Sequence, residues 1–433
     1  MSDIQIGPAL AGGQETRYLR YALFILFLAH TLNFIDRQII NILAHPIQQE
    51  LGLNDTQLGL MTGLAFALFY SVLGIPIARY SDRPKSHRPA IIALSLVIWS
   101  GMTALSGLAQ NFVQLILARI GVGVGEAGCT PAAHSLIGDY FAKERRASAI
   151  AIYGLGLPVG GLLGMIIGGT LADAYGWRSA LFAVGIPGVI LSVVVLMTLR
   201  EPRRELPNVI DQPSLTPRAS LIDGMKELLK IRSFRYVLAG ASLLAMLSYG
   251  KTTWATILFA RVHGLTPGQI GVWYGVSVGV AGMIGMWLGG RLGDHYGGRD
   301  VRNYFIVPAI AILVTTPLLC MGYLHSDWRW ALFLIFAPSV ASSLYYGPTF
   351  AAIQRLVPLE NRATAVATLL LFANLVGAGL GPLFFGILSD ALAPVVGIES
   401  VRWVLVFAAL LGVAAAGLYW KASRSLELAP TSY

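Results

Sequence analysis

The sequence predicts an all-α polytopic membrane protein with twelve transmembrane helices, arranged as two six-helix pseudo-repeats. Three observations predict this fold: apolar segments recur along the whole chain, basic residues alternate between the loops, and the two halves share short motifs. The composition agrees, because 55% of the 433 residues are hydrophobic and only 12% are charged. Soluble globular chains carry about 25% charged residues, so this chain has too few charged residues to form a polar surface.

The helices are predicted from segments that approach or exceed the roughly 17–25 apolar residues needed to span a bilayer. Gly and Pro inside several segments are tolerated in membrane bundles, where small residues let backbones approach closely. The twelve segments lie at 18–44, 56–79, 90–110, 112–138, 146–172, 178–199, 235–262, 267–291, 303–324, 329–356, 362–391 and 401–421.

The placement of Lys and Arg predicts the orientation. With the N-terminus inside, 24 of the 31 basic residues fall in or beside inner loops and tails, four fall in outer loops and three lie within spans. This bias is the one that the positive-inside rule describes. We therefore expect both termini to be cytoplasmic. The short loops fit a multi-pass protein of the bacterial inner (plasma) membrane. The net charge of +9 then reflects topology, and no nucleic-acid partner is expected.

Short motifs repeat between the two halves of the chain. LGLNDTQLGLMTG at 51–63 aligns with HGLTPGQIGVWYG at 263–275, and ERRASAIA at 144–151 aligns with ENRATAVA at 360–367. Both offsets are close to half the chain length. The chain is therefore predicted to be a duplicated bundle.

A segment rich in Pro and charge separates the halves. It contains the amphipathic stretch SLIDGMKELLKIRSF, which we expect to lie along the membrane face. The predicted domains are an N-terminal bundle at 1–199, a cytoplasmic linker at 200–233 and a C-terminal bundle at 234–433. Parallel six-helix repeats with a cytoplasmic middle linker are the arrangement of the major facilitator superfamily.

Further motifs carry the resemblance to this superfamily. ARYSDRPKSHR at 78–88 resembles its loop signature G-x-x-x-D-R-x-x-x-R/K, with Ala78 in place of the first Gly, and GRLGDHYGGR at 290–299 is a degenerate second copy. Three stretches of the first half resemble Spinster-like transporters more specifically: NFIDRQ at 33–38, RIGVGVGEAG at 119–128 and GDYFAKERRASA at 138–149.

The resemblance implies a secondary transporter that moves lysolipids or sphingoid phosphates by alternating access, with proton coupling expected for bacterial members. A proton-linked symporter of small organic anions is the alternative, since a motif resembling NFIDR also occurs in that branch. A membrane enzyme is disfavoured because no nucleophile setting or metal-ligand cluster is evident, and a channel because the gating loops are duplicated. We expect no cofactor and no metal; the expected partners are the lipid bilayer, protons and an amphipathic anion, and the expected state is a monomer.

One pattern points elsewhere. Gly123, Gly125 and Gly128 fit G-x-G-x-x-G, the pyrophosphate-binding fingerprint, but they lie within the fourth span and not at a strand-to-helix turn. Helical geometry instead places Gly121, Gly125 and Gly128 on one face, opposite Arg119. They are predicted to form a small-residue stripe that packs on a neighbouring helix, while Gly123 lies nearer the opposite, cavity-facing side.

Ionisable residues within the spans are the main functional candidates. A charge at mid-membrane costs at least roughly 2.5–3.5 kcal/mol, so such groups pair or line water. Counting 1.5 Å per residue puts Asp36 and Arg119 at one depth and His30 and Glu126 at a deeper one. We expect Asp36, Arg119 and Glu126 to form a proton-coupling set, in which protonated Asp36 frees Arg119 for an anionic head group. The alternative is a fixed Asp36–Arg119 pair that only joins two helices.

Other candidates lie on helices that border the central cavity in this superfamily. Lys251 is the one charge inside a span of the second half, and it either binds an anionic head group or extends toward the outer interface. The aromatic candidates are also consistent with packing or an interfacial belt. With Arg119 and Glu126, the candidate substrate-binding residues are Arg37, His30, His134, Lys251, Tyr249, Trp254, Tyr345, Phe372 and Asn374.

Charges at the inner helix ends are predicted to gate the transporter. The Asp82 carboxylate can cap the positive N-terminus of the eleventh helix near Arg362, which would hold the inner side closed. The alternative is that these charges only set the topology, which fits Arg88 better than Asp82. The predicted gating residues are Asp82, Arg83, Arg88, Asp139, Arg145 and Asp294.

Overall fold

The computed structural model describes residues 13–83, 86–204, 221–358 and 361–426, and most of these residues are helical, with no strand among them. In the first half, α1 is Gly13–Leu51, α2 is Asp55–Ser81, α3 is Arg88–Ser106, α4 is Phe112–Tyr140, and α5 and α6 are the parts of Lys143–Thr198 before and after Gly176. In the second half, α7 is Arg232–Arg261, α8 is Pro267–Gly297, α9 is Asn303–Leu324, α10 is Trp328–Leu356, α11 comprises Arg362–Phe372, Ala373–Leu380 and Gly381–Val396, and α12 is Ser400–Arg424.

These helices are membrane-spanning in length and composition. Within the described ranges, nine helical stretches are long and apolar enough to cross a bilayer. Two of them each hold two spans, which are separated by the positive-φ glycines Gly176 (φ 81°) and Gly397 (φ 62°). The 30-residue α7 is the twelfth span, although it is not among the nine. The predicted all-α polytopic fold is therefore confirmed.

The linker region contributes a short surface helix, Leu221–Lys230. Gly224 of this helix lies against Thr364 at the start of α11. The predicted stretch SLIDGMKELLKIRSF is thus helical over its described part, while the preceding 205–220 lies outside the described residues. The surface helix therefore packs on the second half of the molecule.

The hydrophobic cores show how the two halves meet. One core is shared, because buried residues of α1 such as Ile42 and Ile47 pack with residues of α7 such as Ile257 and Phe259. The buried residues of two further cores lie in single halves, one core built around Trp99 and the other around Tyr419. We call the predicted cytoplasmic ends of the helices inner and the opposite ends outer. The halves are thus packed together toward the outer ends.

Polar contacts between the halves lie at the same outer ends. Arg261 at the end of α7 is ion-paired with Asp55 at the start of α2, with 2.6 Å between Nη2 and Oδ1. Closer to the middle, Thr253 donates to Asn41 Oδ1 at 2.8 Å. In the described part of the chain, every hydrogen bond between the halves lies from this level outward. The outer side of the molecule is therefore closed.

Candidate functional site

The glycines of α4 bring this helix close to its neighbours. A Cβ at Gly125 would lie 2.5 Å from the Trp99 backbone nitrogen, and one at Gly128 would lie 2.6 Å from Ser95 Oγ, both on α3. Gly121 packs on α3 in the same way, so the predicted stripe is confirmed. Gly123 differs from the prediction, because it packs on α2: a Cβ there would lie 2.5 Å from the Phe66 carbonyl oxygen. Close packing on both sides fixes the charged residues of α4 in place.

The central ion pair of the site joins α1 to α4. Arg37 Nε donates to Glu126 Oε2 at 2.6 Å. The Glu126 side chain is fully buried, whereas the Arg37 side chain is 18% exposed. Arg37 is thus the member of the charge set that reaches open space. Depth along the helices did not predict this pair, because it matched Arg119 with Asp36 and His30 with Glu126.

Aromatic rings surround the Arg37 guanidinium. Its Cζ lies 5.1 Å from the ring centre of Phe34, 4.9 Å from that of Phe66 and 4.6 Å from that of Tyr70. A guanidinium over a ring face is attracted by the ring quadrupole. The rings therefore hold Arg37 in place without neutralising its charge, and they form an apolar wall around it.

Asp36 and Arg119 lie beside this pair and are almost fully buried, with 1% and 3% exposure. Arg119 lies 5.6 Å from the ring centre of Phe66, so that ring is shared by two guanidinium groups. Arg119 is close enough to Asp36 and Glu126 for electrostatic attraction. Among the described residues, however, it forms no ion pair, so the fixed Asp36–Arg119 pair is not found.

Several polar atoms of this cluster lack partners. Asp36 Oδ1, Arg119 Nε, Glu126 Oε1 and Asn33 Oδ1 are buried with no hydrogen-bond partner among the residues that the structure describes. A buried polar atom left unpaired costs about 1–3 kcal/mol. A proton on either carboxylate, or a bound anion, changes which of these atoms are satisfied. The cluster can therefore respond to both.

The two histidines belong to a neighbouring aromatic group. His30 Nδ1 lies 2.9 Å from the Tyr153 carbonyl oxygen, and its ring stacks on the Tyr153 ring at 4.2 Å. His134 meets the same ring edge-on at 5.2 Å. Both histidines therefore pack on α5. The depth count placed His30 level with Glu126, but in the structure His30 contacts Tyr153 instead.

The candidates of the second half are spread over different surroundings. Tyr249 is 42% exposed and lies near Gly377 of α11. Trp254 is fully buried and donates from Nε1 to the Pro382 carbonyl oxygen at 2.9 Å. Trp254 is therefore a packing residue and lines no open pocket, contrary to the prediction.

Lys251 lies inside the second half. Its Nζ is 3.2 Å from Ser342 Oγ of α10, so it does not extend to the outer interface. Tyr345 is half-buried and packs edge-on against Tyr346 and Tyr419. The remaining two candidates, Phe372 and Asn374, are half-buried where α11 passes into a wider π-helical turn.

The inner charges form a cluster within the first half. The fully buried Arg88 is ion-paired with Glu201 and with Asp139, the latter at 2.6 Å. Arg203 Nε also contacts Asp139, at 2.9 Å. Burial alone raises the pKa of Glu201, but the hydrogen bonds and charge of Arg88 lower it below its usual value overall. Arg88 and Asp139 anchor the start of the linker, and neither is ion-paired with a second-half residue in the described ranges.

The other predicted gating residues are exposed. Arg83 lies over the Tyr80 ring at 5.7 Å. Asp82 makes no hydrogen bond to α11 among the described residues, in keeping with a closed outer side and separate inner cores. The exposed gating candidates are Asp82, Arg83, Arg145 and Asp294.

Sequence analysis missed the carboxylates that close the outer side. Asp390 of α11 accepts hydrogen bonds from the Asp55 and Thr56 backbone nitrogens at the start of α2, at 3.0 and 2.8 Å. Asp173 of α5 accepts one from the Gly268 backbone nitrogen at the start of α8, at 3.0 Å. Each carboxylate caps a helix of the other half. Both capped helices begin in the repeated motif at 51–63 and 263–275, which was the available signal.

Twelve spanning helices around a buried charge cluster are the architecture of a helical membrane transporter. The Major Facilitator Superfamily profile matches residues 26–319, which is more than half of the chain. This chain therefore belongs to the Major Facilitator Superfamily.

Its relatives place it among the Spinster-like members. A crystal structure of a bacterial homologue of the human lysosomal transporter Spinster, inward-facing and unoccupied, is 31% identical with a TM-score of 0.84, covering 94% of this chain and 98% of that one. An MFS-type efflux pump of Mycolicibacterium smegmatis is 36% identical over 93% of this chain and 92% of its own length. The chain is a Spinster-like transporter and not an enzyme.

Two more distant relatives have substrates in their names. The sphingosine-1-phosphate transporter SPNS2 of Danio rerio is 25% identical over 85% of this chain and 75% of its own length. The probable L-galactonate transporter of Escherichia coli strain K12 is 26% identical over 76% of this chain and 66% of its own length.

Proposed function

We propose that this chain is a proton-coupled secondary transporter of amphipathic anions of the lysolipid or sphingoid-phosphate type, working by alternating access in the bacterial inner membrane. The observation that carries the proposal is the Arg37–Glu126 ion pair, in which a partly exposed guanidinium is held by a buried carboxylate. The named substrate of a Spinster-type relative, sphingosine-1-phosphate, has the matching chemistry: an anionic head on a single chain.

The coupling step follows from the charges of the cluster. Asp36 and Glu126 balance Arg37 and Arg119, so the formal charge of the four side chains is zero when all are ionised. A proton on Glu126 removes the partner of Arg37 and leaves the cluster with one positive charge. Arg37 then offers its guanidinium to a phosphate or carboxylate, which it can bind through charge-assisted hydrogen bonds. Release of the anion restores the pair and expels the proton.

Asp36 and Arg119 also affect the net charge around Arg37, although neither contacts the substrate in this proposal. Both are buried and neither forms an ion pair among the described residues, so their charges act on Arg37 and Glu126 through a poorly screened interior. Protonation of Asp36 would likewise raise the positive charge beside the binding position. In this proposal the partly exposed Arg37 contacts the substrate, and Arg119, which is buried, contributes only its charge.

The surroundings of Arg37 favour an amphipathic anion. Phe34, Phe66 and Tyr70 form an apolar wall next to the guanidinium. A head group bound at Arg37 would have a hydrocarbon portion beside these rings, where burial of apolar area stabilises binding. Tyr249, which is 42% exposed, is placed to contribute from the facing half.

Uptake in proteoliposomes tests the proposal. With lysolipid as substrate and an imposed pH gradient, we expect gradient-driven uptake by the wild type. Glu126→Gln should still bind lysolipid but lose the response to the gradient, because the amide cannot exchange a proton. Glu50→Gln is the matched control, since Glu50 pairs with Arg178 at the outer surface of the same half. Uptake by Glu126→Gln that stays gradient-driven would contradict the assignment of the proton site.

A symporter of small organic anions is the second candidate. It is favoured by the similarity to the probable L-galactonate transporter. The same vesicles distinguish the two, because a small sugar acid and a lysolipid are offered separately. Proton-driven movement of the sugar acid, with no binding or uptake of lysolipid, would replace the lipid proposal by this one.

A further inference from the structure

A second cavity lies entirely within the second half of the molecule. It has about 580 Å³ of empty space including its open side, and its fifteen lining residues come from α7, α9, α10 and α12. No lining residue belongs to the first half, so the cavity is separate from the Arg37–Glu126 site.

The shape of the cavity is long and mostly apolar. Along α9 its lining runs from Ile312 to Tyr323, eleven residues apart, which is about 16 Å of helix. Leucine, isoleucine, alanine, proline and glycine residues make up most of the wall. Five lining side chains carry an amine or an aliphatic hydroxyl: Ser248, Lys251, Thr315, Thr316 and Ser342. An elongated apolar cavity with one basic group matches an extended amphiphile better than a compact polar solute.

Lys251 is the basic group of this cavity, and it has no counter-ion among the residues that the structure describes. Its Nζ donates to Ser342 Oγ at 3.2 Å, while Ser342 itself donates to the Ser339 carbonyl oxygen at 2.9 Å. Within the described ranges no carboxylate lies at ion-pair distance from Lys251. An ammonium has three donors, and at membrane depth it is stabilised by pairing with an anion.

We propose that this cavity is a second ligand site that binds a single-chain lipid anion, with its carboxylate or phosphate at Lys251 and its chain along the wall formed by α9 and α12. The site goes beyond the proposed transport function and does not depend on it. It uses none of the residues of the charge cluster, and it would be present whichever substrate the central site carries.

Photolabelling locates the ligand directly. Full-length protein in nanodiscs is incubated with palmitic acid carrying a diazirine in its chain, irradiated and digested, and the labelled peptides are mapped by mass spectrometry. We expect label on peptides of α7, α9 and α12. Unlabelled palmitate and lysophosphatidic acid, offered in separate arms, show whether a carboxylate or a phosphate competes better, whereas hexadecyltrimethylammonium should not compete.

Two pairs of variants test the contacts. Lys251→Met should weaken labelling about tenfold, the loss expected for one charged hydrogen-bonded contact, while Lys251→Arg retains it. A Cβ at Gly412 would lie 3.6 Å from Ile312 Cγ2, so Gly412→Ala fits and Gly412→Leu fills the cavity and blocks labelling. The leucine variant keeps the test decisive if Lys251→Met fails to fold.

The outcomes separate this site from the transport site. Arg37→Met should abolish lysolipid transport and leave the labelling of α7, α9 and α12 unchanged. Label confined to peptides of α1 and α4, or equal labelling of wild type and Lys251→Met, would overturn the proposal. So would labelling that Gly412→Leu does not reduce.

Discussion

At the scale of single residues, Arg37 is the side chain on which the proposed substrate site depends. Its guanidinium combines an ion pair with three ring contacts, and a lysine can keep the charge but not the planar fork. We expect Arg37→Lys to fold normally and to bind lysolipid about tenfold more weakly, measured by tryptophan-fluorescence titration. Arg145→Lys, at an exposed position, is the matched control. Equal affinity of Arg37→Lys and wild type would show that the fork does not contact the head group.

Glu201 gives a pH-dependent prediction at the same scale. Arg88 lowers the pKa of Glu201 in the folded state, so this pair stabilises the protein above the unfolded-state pKa of about 4.3. That contribution is lost as the pH falls through the lowered folded-state value. We expect Glu201→Gln to reduce the melting temperature at pH 7 and to lose less stability than wild type on acidification. A variant whose melting temperature falls in parallel with wild type at every pH would contradict this.

Residue pairing was the least predictable level. Rise per residue fixes depth, and it placed Asp36 level with Arg119 and His30 level with Glu126; all four side chains are buried on α1 and α4. Depth does not fix which side chains meet, because an arginine reaches sideways past its neighbours. Arg37 therefore forms the ion pair with Glu126, although its position on α1 lies about 100° around the helix from Asp36.

At the scale of elements, the glycine stripe of α4 determines how closely this helix approaches α3. We expect Gly125→Leu to destabilise the protein by about 1–3 kcal/mol, because its Cβ would already lie 2.5 Å from the Trp99 backbone nitrogen. Gly138→Leu on the same helix is the control, since nothing lies within 4 Å of a Cβ there. Thermal unfolding in detergent measures both. Similar melting temperatures for the two variants would argue against close packing at Gly125.

Element-level features were predictable where helical periodicity alone decides them. The stripe of Gly121, Gly125 and Gly128 follows from a period of 3.6 residues and needs no knowledge of the partner. Only part of the caps of α2 and α8 could be predicted from the sequence. The motif at 51–63 and its repeat marked where these two helices start. Asp390 and Asp173, which complete them, lie on helices distant in sequence and are identified only by the packing of the two halves.

At the scale of the whole molecule, two helix caps join the halves at their outer ends. In each of these crossed caps, a carboxylate of one half accepts hydrogen bonds from the start of a helix in the other half. Asp390 links α11 to α2 and Asp173 links α5 to α8, so each half contributes one carboxylate that caps a helix of the other half. Both contacts join the two halves at the outer ends, so opening of the outer side would separate the partners of each. The Arg261–Asp55 ion pair lies at the same end and adds to the closure.

Weakening either cap should therefore shift the molecule toward an outward-open state. A lost helix cap costs about 1 kcal/mol, which changes the open-to-closed ratio about fivefold. We expect Asp390→Asn and Asp173→Asn each to add a longer distance between spin labels at Tyr175 and Val395, two exposed outer positions in opposite halves, measured in a background where Cys129 and Cys320 are serine. Glu50→Gln breaks an outer ion pair within one half and should leave the distances unchanged. If Glu50→Gln lengthens the distances between the spin labels as much as the cap variants do, the two caps do not control the opening. A general loss of stability at the outer end would then explain the result.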